Sequence, residues 1–464
     1  MKKWLSILAL STVFALAGCG GEGTSESGSD NPSSIQQSSP LDSTEGNDPN
    51  HTHANKNGDG FCDGCGASIL TTLNIFSIND LHGKFADTDQ NCGVDEMTTF
   101  LRNQQQANPN TILLSAGDMW QGSPESNLTY GNIITEWMND LGFVSMALGN
   151  HEYDWGEEYI QQNADLANFP ILGINVFDPD TNEREEYASP SVMIERSGVK
   201  IGIIGAIGDC MSSIAADKAE DVYFKTGSEL TQLIKDESTS LRQQGADIII
   251  YTIHDSGDAY GSYYDEQLSN GYVDLVFEGH SHQEVRRKDS YGVWHLQAGG
   301  DNGTGLSHAE IKIDIISGNI TVAQTKIVSH SAYLHLDDDP IVNALMEKYA
   351  DQLSQMNEYL GMNDSYRNSD ALEQYAAEAM FNVGYEHWNS DARYAGKIVL
   401  GGGFLNARSP YRLNAGKVTY GDIYPLFPFD NLIVLCKVNG SRLLDQFIYS
   451  SISASYLADI MDSL

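Results

Sequence analysis

The chain has 464 residues, 41% of them hydrophobic, and 64 acidic against 26 basic side chains give it a formal net charge of −38. This length exceeds one ordinary core and predicts two folded domains of roughly 100 to 250 residues each. The negative charge argues against nucleic-acid binding, so an anionic substrate needs a locally positive site, which bound divalent cations can supply.

The amino terminus has the pattern of an export signal. Met-Lys-Lys is followed by an apolar run at residues 4–17, too short to span a bilayer, and then by Gly18 and Cys19. The letters LAGC at 16–19 resemble the bacterial lipobox, in which the cysteine is acylated; a plain secretion signal is the alternative. We expect a lipoprotein signal peptide over 1–19 and an exported protein of the cell envelope, attached to the membrane only by a lipid at Cys19.

A polar stretch and a small cysteine-containing motif follow the signal. Residues 20–50 are rich in Ser, Gly, Asn, Asp and Glu, which predicts a disordered tether. Residues 51–68 begin HTHANKNGDGFCDGC and predict a small knuckle that is not catalytic. Its acidic and amide side chains resemble part of a calcium loop, Cys62 and Cys65 with His51 and His53 could hold zinc, and the two cysteines could instead form a disulfide. An accessory Ca or Zn site at 51–65 therefore remains open.

From residue 70 onward, apolar runs typical of strands alternate with helical patterns. The strand runs are 73–78, 111–115, 199–204, 247–253 and 273–277, and the helical patterns are 97–106, 133–141, 157–168 and 228–244. This order predicts a layered α/β domain over 70–335. A linking helix is expected over 338–362, and a second domain over 366–464.

Each predicted strand of the first domain ends near a short polar cluster. Carboxyl ends of parallel strands meet at one edge of a sheet, where ligands bind. The clusters contain seven side chains of the kinds that bind Zn, Mn, Fe or Co: Asp80, His82, Asp118, Asn150, His254, His280 and His282. Seven ligands are too many for one ion, so we expect two divalent ions that hold a phosphate ester and activate a water or hydroxide in line with the leaving group.

The order and spacing of these clusters are similar to those of the calcineurin-like metallophosphoesterases. The stretches NDLHGKF, LLSAGDMWQGSP, GNHEYDWG and EGHSH more narrowly resemble the bacterial 5'-nucleotidase and UDP-sugar hydrolase family. The resemblance implies a four-layer α/β/β/α sandwich with two metals at its edge. It also implies that Asp80, His82, Asp118 and His282 hold one metal and that Asp118, Asn150, His254 and His280 hold the other.

The same resemblance assigns catalytic roles within GNHEYDWG. Asn150 and His151 are adjacent, so their side chains diverge at a tight turn and only one of them easily reaches a shared metal. The family uses the Asn as ligand and the His as a phosphate-contacting catalyst that can protonate the leaving oxygen. Asp154 is similar to the acid that orients this imidazole and keeps it cationic. His295 and His308 match no motif residue, and we expect structural roles for them.

The second domain resembles the opening half of the family's nucleotide-binding domain. Phe429 corresponds to an aromatic that stacks on the base, although a core role is an equal alternative, and Arg408 and Asn431 are further candidate substrate-binding residues. The sequence after Gly402-Gly403 departs from the family pattern, and the chain ends at Leu464, so we expect a smaller, apparently incomplete α+β domain.

These features together predict a metal-dependent hydrolase of phosphoric esters. The expected reaction converts 5'-nucleotides to nucleosides and phosphate, with a small-molecule nucleotide as the substrate. A UDP-sugar hydrolase and a 2',3'-cyclic nucleotide phosphodiesterase are alternatives with the same chemistry. A catalytically silent, nucleoside-binding or adhesive surface lipoprotein is the alternative from another class.

Overall fold

Two six-stranded sheets form the framework of the protein. The computed structural model describes residues 54, 61–63, 69–87, 93–255, 265–299, 305–314, 316–393 and 412–428. The strands of the described residues are β1 (Leu70–Ile78), β2 (Thr111–Ser115), β3 (Ser145–Ala147), β4 (Ile171–Leu172), β5 (Val176–Phe177), β6 (Ser191–Arg196), β7 (Val199–Ile207), β8 (Tyr223–Phe224), β9 (Ile248–His254), β10 (Leu275–Glu278), β11 (Val285–Lys288), β12 (Trp294–Gln297), β13 (Leu306–Asp314), β14 (Ile320–Val328), β15 (Tyr359–Asn363) and β16 (Gly416–Thr419). The helices are α1 (Asp95–Ala107), α2 (Pro124–Asn127), α3 (Asn132–Leu141), α4 (Glu157–Leu166), α5 (Gly227–Gln243), α6 (Pro340–Lys348), α7 (Ala350–Leu353), α8 (Ser369–Asn389) and α9 (Tyr420–Ile423).

The central strands of both sheets are parallel. The first sheet has the order β14-β13-β1-β2-β3-β4 and the second has the order β11-β12-β10-β9-β7-β6. Strands β1 to β4 run parallel in the first sheet, and β7, β9, β10 and β12 run parallel in the second. The five predicted strand runs coincide with β1, β2, β7, β9 and β10 to within two residues at most ends. The carboxyl ends of the parallel strands in each sheet therefore share one edge.

Strand β9 shows how the sequence creates the layers. Successive side chains of a strand point to opposite faces. Ile248 and Ile250 join the core between the two sheets, whereas Ile249, Tyr251 and Ile253 join the core that includes the apolar face of α5. Each fully buried aliphatic side chain of this kind contributes about 1.5 to 3 kcal/mol relative to an exposed one.

The first sheet is covered in the same way on its other face. Leu73 and Ile75 of β1 join the inter-sheet core, and Phe76 and Ile78 join the core that also holds Leu101 of α1. The order of layers is therefore helix, sheet, sheet, helix. This confirms the four-layer α/β/β/α sandwich expected from the sequence.

The segment after β14 differs from the expected linking helix. Instead of one helix over 338–362, α6 and α7 are separated at Tyr349, a 3-10 turn follows at Ser354–Asn357, and β15 begins at Tyr359. Val342 and Leu345 of α6 are buried in the core of the first sheet's helical side. The apolar spacing that predicted a linker thus packs this segment onto the first domain.

A smaller α+β part follows. Strands β15 and β16 pair antiparallel, and α8 precedes β16 in the chain. Leu372 of α8 packs with Leu426 in a separate small apolar cluster. Residues 394–411 and 429–464 lie outside the described residues, so the expected boundary and extent of this domain remain predictions.

The signal, tether and most of the knuckle also lie outside the described residues. Within the knuckle, Cys62 is buried and the Asp63 main-chain nitrogen donates to the Ala54 carbonyl at 2.7 Å. His51, His53 and Cys65 are not described, so the accessory site stays a prediction. Among the helices that the structure describes, none combines the length and the apolar character needed to cross a bilayer.

Candidate metal centre

The seven expected ligands lie at the ends of parallel strands from both sheets. Asp80 and His82 follow β1, Asp118 follows β2, and Asn150 begins the 3-10 turn after β3. The ligands from the second sheet are His254, the last residue of β9, and His280 and His282, which follow β10. Because the carboxyl edges of the two sheets adjoin, residues about 200 positions apart in the chain meet there.

The side chains form two clusters of metal-ligating atoms. Asp80, His82 and His282 each offer an atom within 4.8 Å of the other two, and Asp118, His254 and His280 do the same. The amide oxygen of Asn150 lies 3.2 Å from His254 Nε2, which places it at the second cluster. Each cluster contains three of the four residues of one ligand set that the resemblance implied, and Asp118 is also within 4.8 Å of His82. The assignment of these residues to two ions remains a prediction.

The imidazoles are oriented as metal ligands are. His254 Nδ1 lies 2.8 Å from the Ala116 carbonyl oxygen, and His82 Nδ1 lies 3.1 Å from the Gln121 carbonyl oxygen. A main-chain acceptor at Nδ1 holds the proton there and leaves Nε2 as the electron-pair donor. His82 Nε2 stands only 3.2 Å from His282 Nε2, an arrangement that a cation between two facing ring nitrogens would stabilise. The donor set therefore fits a divalent metal.

The two buried carboxylates at this edge require positive partners. Asp80 and Asp118 are almost completely buried. Burying a carboxylate without a positive partner costs folding free energy. Burial opposes ionisation of Asp118, but His254, His151 and His82 together hold its pKa well below the usual range. Burial likewise opposes the charged form of His254, but Asp118 raises the pKa of His254 to about 10. Asp118 thus stabilises the protonated form of His254, and His254 stabilises the ionised form of Asp118.

Five of the expected ligands have a left-handed backbone. The φ angles are +53° for Asp80, +52° for His82, +54° for Asp118, +84° for His280 and +56° for His282. Non-glycine residues adopt this conformation uncommonly, and strained positions of this kind concentrate at functional sites. The periodicity of the strands gave no signal of this conformation.

His151 lies beside both clusters. Its Nδ1 is 2.8 Å from Asp154 Oδ2, and its main-chain nitrogen donates to Asp118 Oδ1 at 2.9 Å. A ring nitrogen of His151 is also within 4.8 Å of ligand atoms of His82 and Asp118. Its side chain keeps 19% of its surface exposed, so a substrate can reach it. The His151–Asp154 pair that the sequence predicted is present, and its catalytic role remains a prediction.

Glu152 supports the loop that carries Asp118. The buried Glu152 carboxylate accepts hydrogen bonds from the main-chain nitrogens of Gly149, Asp118 and Met119 at 2.7, 2.9 and 2.8 Å, and from that of Trp120 at 3.3 Å. Among the residues of GNHEYDWG, Glu152 matches no ligand or catalytic position, and its sequence context indicates only that it shapes the turn and the following helix. Its spacing of three residues from Gly149 is a capping signal, but nothing in the sequence indicated the bonds to the more distant β2 loop.

Asn79 connects the two sheets at the same edge. Its amide nitrogen donates to Asp80 Oδ2 at 2.6 Å and to the Ala298 carbonyl at 2.9 Å, and its oxygen accepts from Ala298 N at 3.0 Å. His280 N also donates to Asp80 Oδ1 at 3.1 Å. These bonds fix Asp80 relative to the ligand loop of the second sheet.

The remaining candidate residues lie elsewhere or are not described. His295 is buried and its Nδ1 lies 2.6 Å from Glu278 Oε1, while His308 packs against Phe76 with ring centroids 4.4 Å apart. Neither belongs to the metal-ligand clusters found among the described residues. The substrate-binding candidates Arg408, Phe429 and Asn431 lie outside the described residues.

Comparisons with known proteins place this site in a family. A family model described as calcineurin-like phosphoesterase matches residues 73–284. The chain is 23% identical over 437 residues to the trifunctional nucleotide phosphoesterase protein YfkN of Bacillus subtilis, covering 80% of this chain but only 29% of that relative. It is 23% identical over 429 residues to a 5'-nucleotidase of Vibrio cholerae, covering 80% of this chain and 74% of the relative.

The solved structures agree at the level of the fold. The crystal structure of a 5'-nucleotidase precursor from Thermus thermophilus superimposes with a TM-score of 0.56 at 19% identity, covering 77% of this chain and 74% of that one. The family implies divalent metal ions, for which the two clusters provide ligands. Residues 73–284 are therefore a calcineurin-like phosphoesterase domain, and the chain that contains it is a hydrolase acting on phosphoric ester bonds.

Proposed function

We propose that the protein hydrolyses 5'-nucleotides to nucleosides and phosphate with two divalent metal ions. The observation that carries this proposal is the pair of adjacent ligand clusters, with Asp118 close to ligand atoms of both His254 and His82. Two cations held there would supply Lewis-acid charge for a phosphate and for an attacking water. In a chain of formal charge −38, such a centre provides the local positive charge that an anionic substrate requires.

The protein's own residues have separate tasks in this proposal. Asp80, His82 and His282 bind one ion, and Asn150, His254 and His280 bind the other, with Asp118 shared. His151 contacts the phosphate and donates a proton to the leaving oxygen of the nucleoside. Asp154 accepts a hydrogen bond from His151 Nδ1, which fixes the ring and stabilises its protonated form.

The nucleoside end of the substrate is assigned to the second domain. We propose that Phe429 stacks on the base and that Arg408 and Asn431 contribute further contacts. Relatives named 5'-nucleotidase and trifunctional nucleotide phosphoesterase support a nucleotide as substrate. UDP-sugars and 2',3'-cyclic nucleotides remain alternative substrates for the same centre.

A substrate panel with metal analysis tests the proposal. Purified protein loaded with Mn or Zn is given AMP, a UDP-sugar, a 2',3'-cyclic nucleotide and an aryl phosphate. We expect phosphate release from AMP, two ions per chain and loss of activity after chelation. Failure to release phosphate from AMP would refute the proposal, and cleavage of only the UDP-sugar or the cyclic nucleotide would favour those alternatives. The absence of bound ions at saturating metal would favour a catalytically silent binding protein.

The location of the protein is a separate proposal. We propose that the chain is exported and that a lipid on Cys19 holds it to the membrane of the cell envelope. The lipobox-like residues 16–19 support this. Cys19→Ser should move the protein from the membrane fraction to the soluble exported fraction, and an unchanged membrane fraction would contradict the lipid anchor.

A further inference from the structure

Two side-chain amides of the first domain converge on one carbonyl of the second. Gln121 Nε2 donates to the Pro428 main-chain oxygen at 2.7 Å, and Asn127 Nδ2 donates to the same oxygen at 3.0 Å. Asn127 Nδ2 also lies 3.1 Å from the Tyr424 hydroxyl oxygen. We propose that Gln121 and Asn127 are positioning residues that clamp the 412–428 segment against the metal centre and thereby set the affinity for the nucleoside part of the substrate.

Both amides are buried, which gives the contact its strength. Gln121 and Asn127 expose only 1% and 5% of their surface. A buried acceptor that loses its donors pays its full desolvation penalty, so breaking the contact is unfavourable. Asn127 is itself held, because its Oδ1 accepts from the Gly122 main-chain nitrogen at 2.8 Å. The Asn127 donor is therefore oriented by a bond within its own loop, independently of its bond to Pro428.

The same loop holds a metal-ligand candidate. The main-chain oxygen of Gln121 faces His82 Nδ1, while the side chain of Gln121 reaches Pro428. One residue thus touches the metal centre through its backbone and the 412–428 segment through its amide. Pro428 directly precedes Phe429 in the sequence. The clamp consequently fixes the chain at the residue before the proposed base-stacking aromatic.

The inferred effect on nucleotide affinity rests on the proposed function, whereas the clamp itself does not. Hydrogen exchange measured by mass spectrometry on the 412–428 segment tests the clamp without any substrate. Gln121→Met removes the amide without adding charge, and Asn127→Asp removes the donor but keeps the acceptor for Gly122. We expect about threefold to tenfold faster exchange in the segment for each variant. Gln105→Glu is the matched control, because it removes an amide bond to the Leu141 carbonyl inside the first domain.

Steady-state kinetics tests the second half of the inference. The KM for AMP should rise about threefold to tenfold in both variants. The KM for an aryl phosphate, which has no nucleobase, should stay unchanged. Unchanged exchange in both variants would overturn the clamp. An equal rise in KM for the two substrates would place the effect at the metal centre and overturn the role in nucleoside affinity. If the unmodified protein releases no phosphate from AMP, the proposed function and the nucleoside role fail, and exchange still decides the clamp.

Discussion

The carboxylate of Glu152 holds the backbone of Asp118, with Oε2 2.9 Å from the Asp118 main-chain nitrogen. The same oxygen accepts from Gly149, so the loops after β2 and β3 share one buried anchor. A β-carbon at Gly149 would collide with the Asp118 carboxylate, which shows how closely the two loops approach. Glu152 therefore fixes the loop of the proposed shared ligand, although it reaches no metal cluster itself.

Glu152→Gln should weaken both folding and metal binding. The side-chain NH₂ of the glutamine would face main-chain N–H groups that now donate to a carboxylate oxygen. These N–H groups would lose their acceptor, and a buried donor left without a partner costs about 1 to 3 kcal/mol. We expect a loss of that size in the free energy of unfolding and weaker metal affinity. Denaturant unfolding and metal titration measure the two effects. Glu157→Gln, in α4, is the control, and equal metal affinity in all three proteins would contradict the anchoring role.

His151→Ala and His254→Ala should separate catalysis from metal binding. A catalyst that protonates the leaving group contributes about 10²- to 10⁴-fold to turnover. We expect His151→Ala to lower kcat by that factor and to keep its metal, whereas His254→Ala should lower both. Turnover and metal content per chain are measured together, with the exposed His335→Ala as the control. Equal metal loss in both variants would make His151 a ligand and refute the division of roles.

Asp154→Asn should act only through His151. The pair is 2.8 Å apart, and the amide would no longer stabilise a protonated ring. We expect kcat to fall roughly tenfold, less than for removal of the imidazole. In the His151→Ala background the same substitution should have no further effect, and the double-mutant cycle measures this coupling. Additive losses would show that Asp154 acts independently of His151.

Asp95→Asn should stabilise the protein at alkaline pH. Burial, together with the nearby Asp87 and Asp338 carboxylates, raises the pKa of Asp95 to about 7. Because the folded-state pKa lies above the unfolded value, stability from this group is complete below about pH 4 and is lost as the pH rises through 7. Asparagine removes the charge, so the gain should be roughly 1 to 2 kcal/mol at pH 8 and near zero at pH 4.

Thermal or denaturant unfolding at the two pH values checks the Asp95 prediction. Asp236→Asn is the control, because that side chain is exposed on α5. A gain that is equal at pH 4 and pH 8 would show that ionisation of Asp95 is not responsible.

The sequence predicted the sheets and the meeting of the ligands, because both depend on local patterns. Buried strands such as β2 appear as continuous apolar runs, and parallel strands deliver their carboxyl ends to one edge. The prediction of one continuous linking helix over 338–362 was wrong for a physical reason. Apolar residues at helical spacing show that one face is buried, but they do not show where the helix ends. The bond from Glu152 to Asp118 in the β2 loop links residues 34 positions apart. The bond from Gln121 to Pro428 links residues 307 positions apart. Such contacts follow from tertiary packing and have no local signature.

The meeting of His82 and His282 has a consequence for how the protein folds. The two nitrogens come from different sheets, and 200 positions of chain separate them. Closing so long a loop is entropically unfavourable until the intervening strands pair. The centre should therefore form late, so that metal added to the unfolded chain does not speed refolding, and no fragment that lacks either sheet should retain the affinity of the whole.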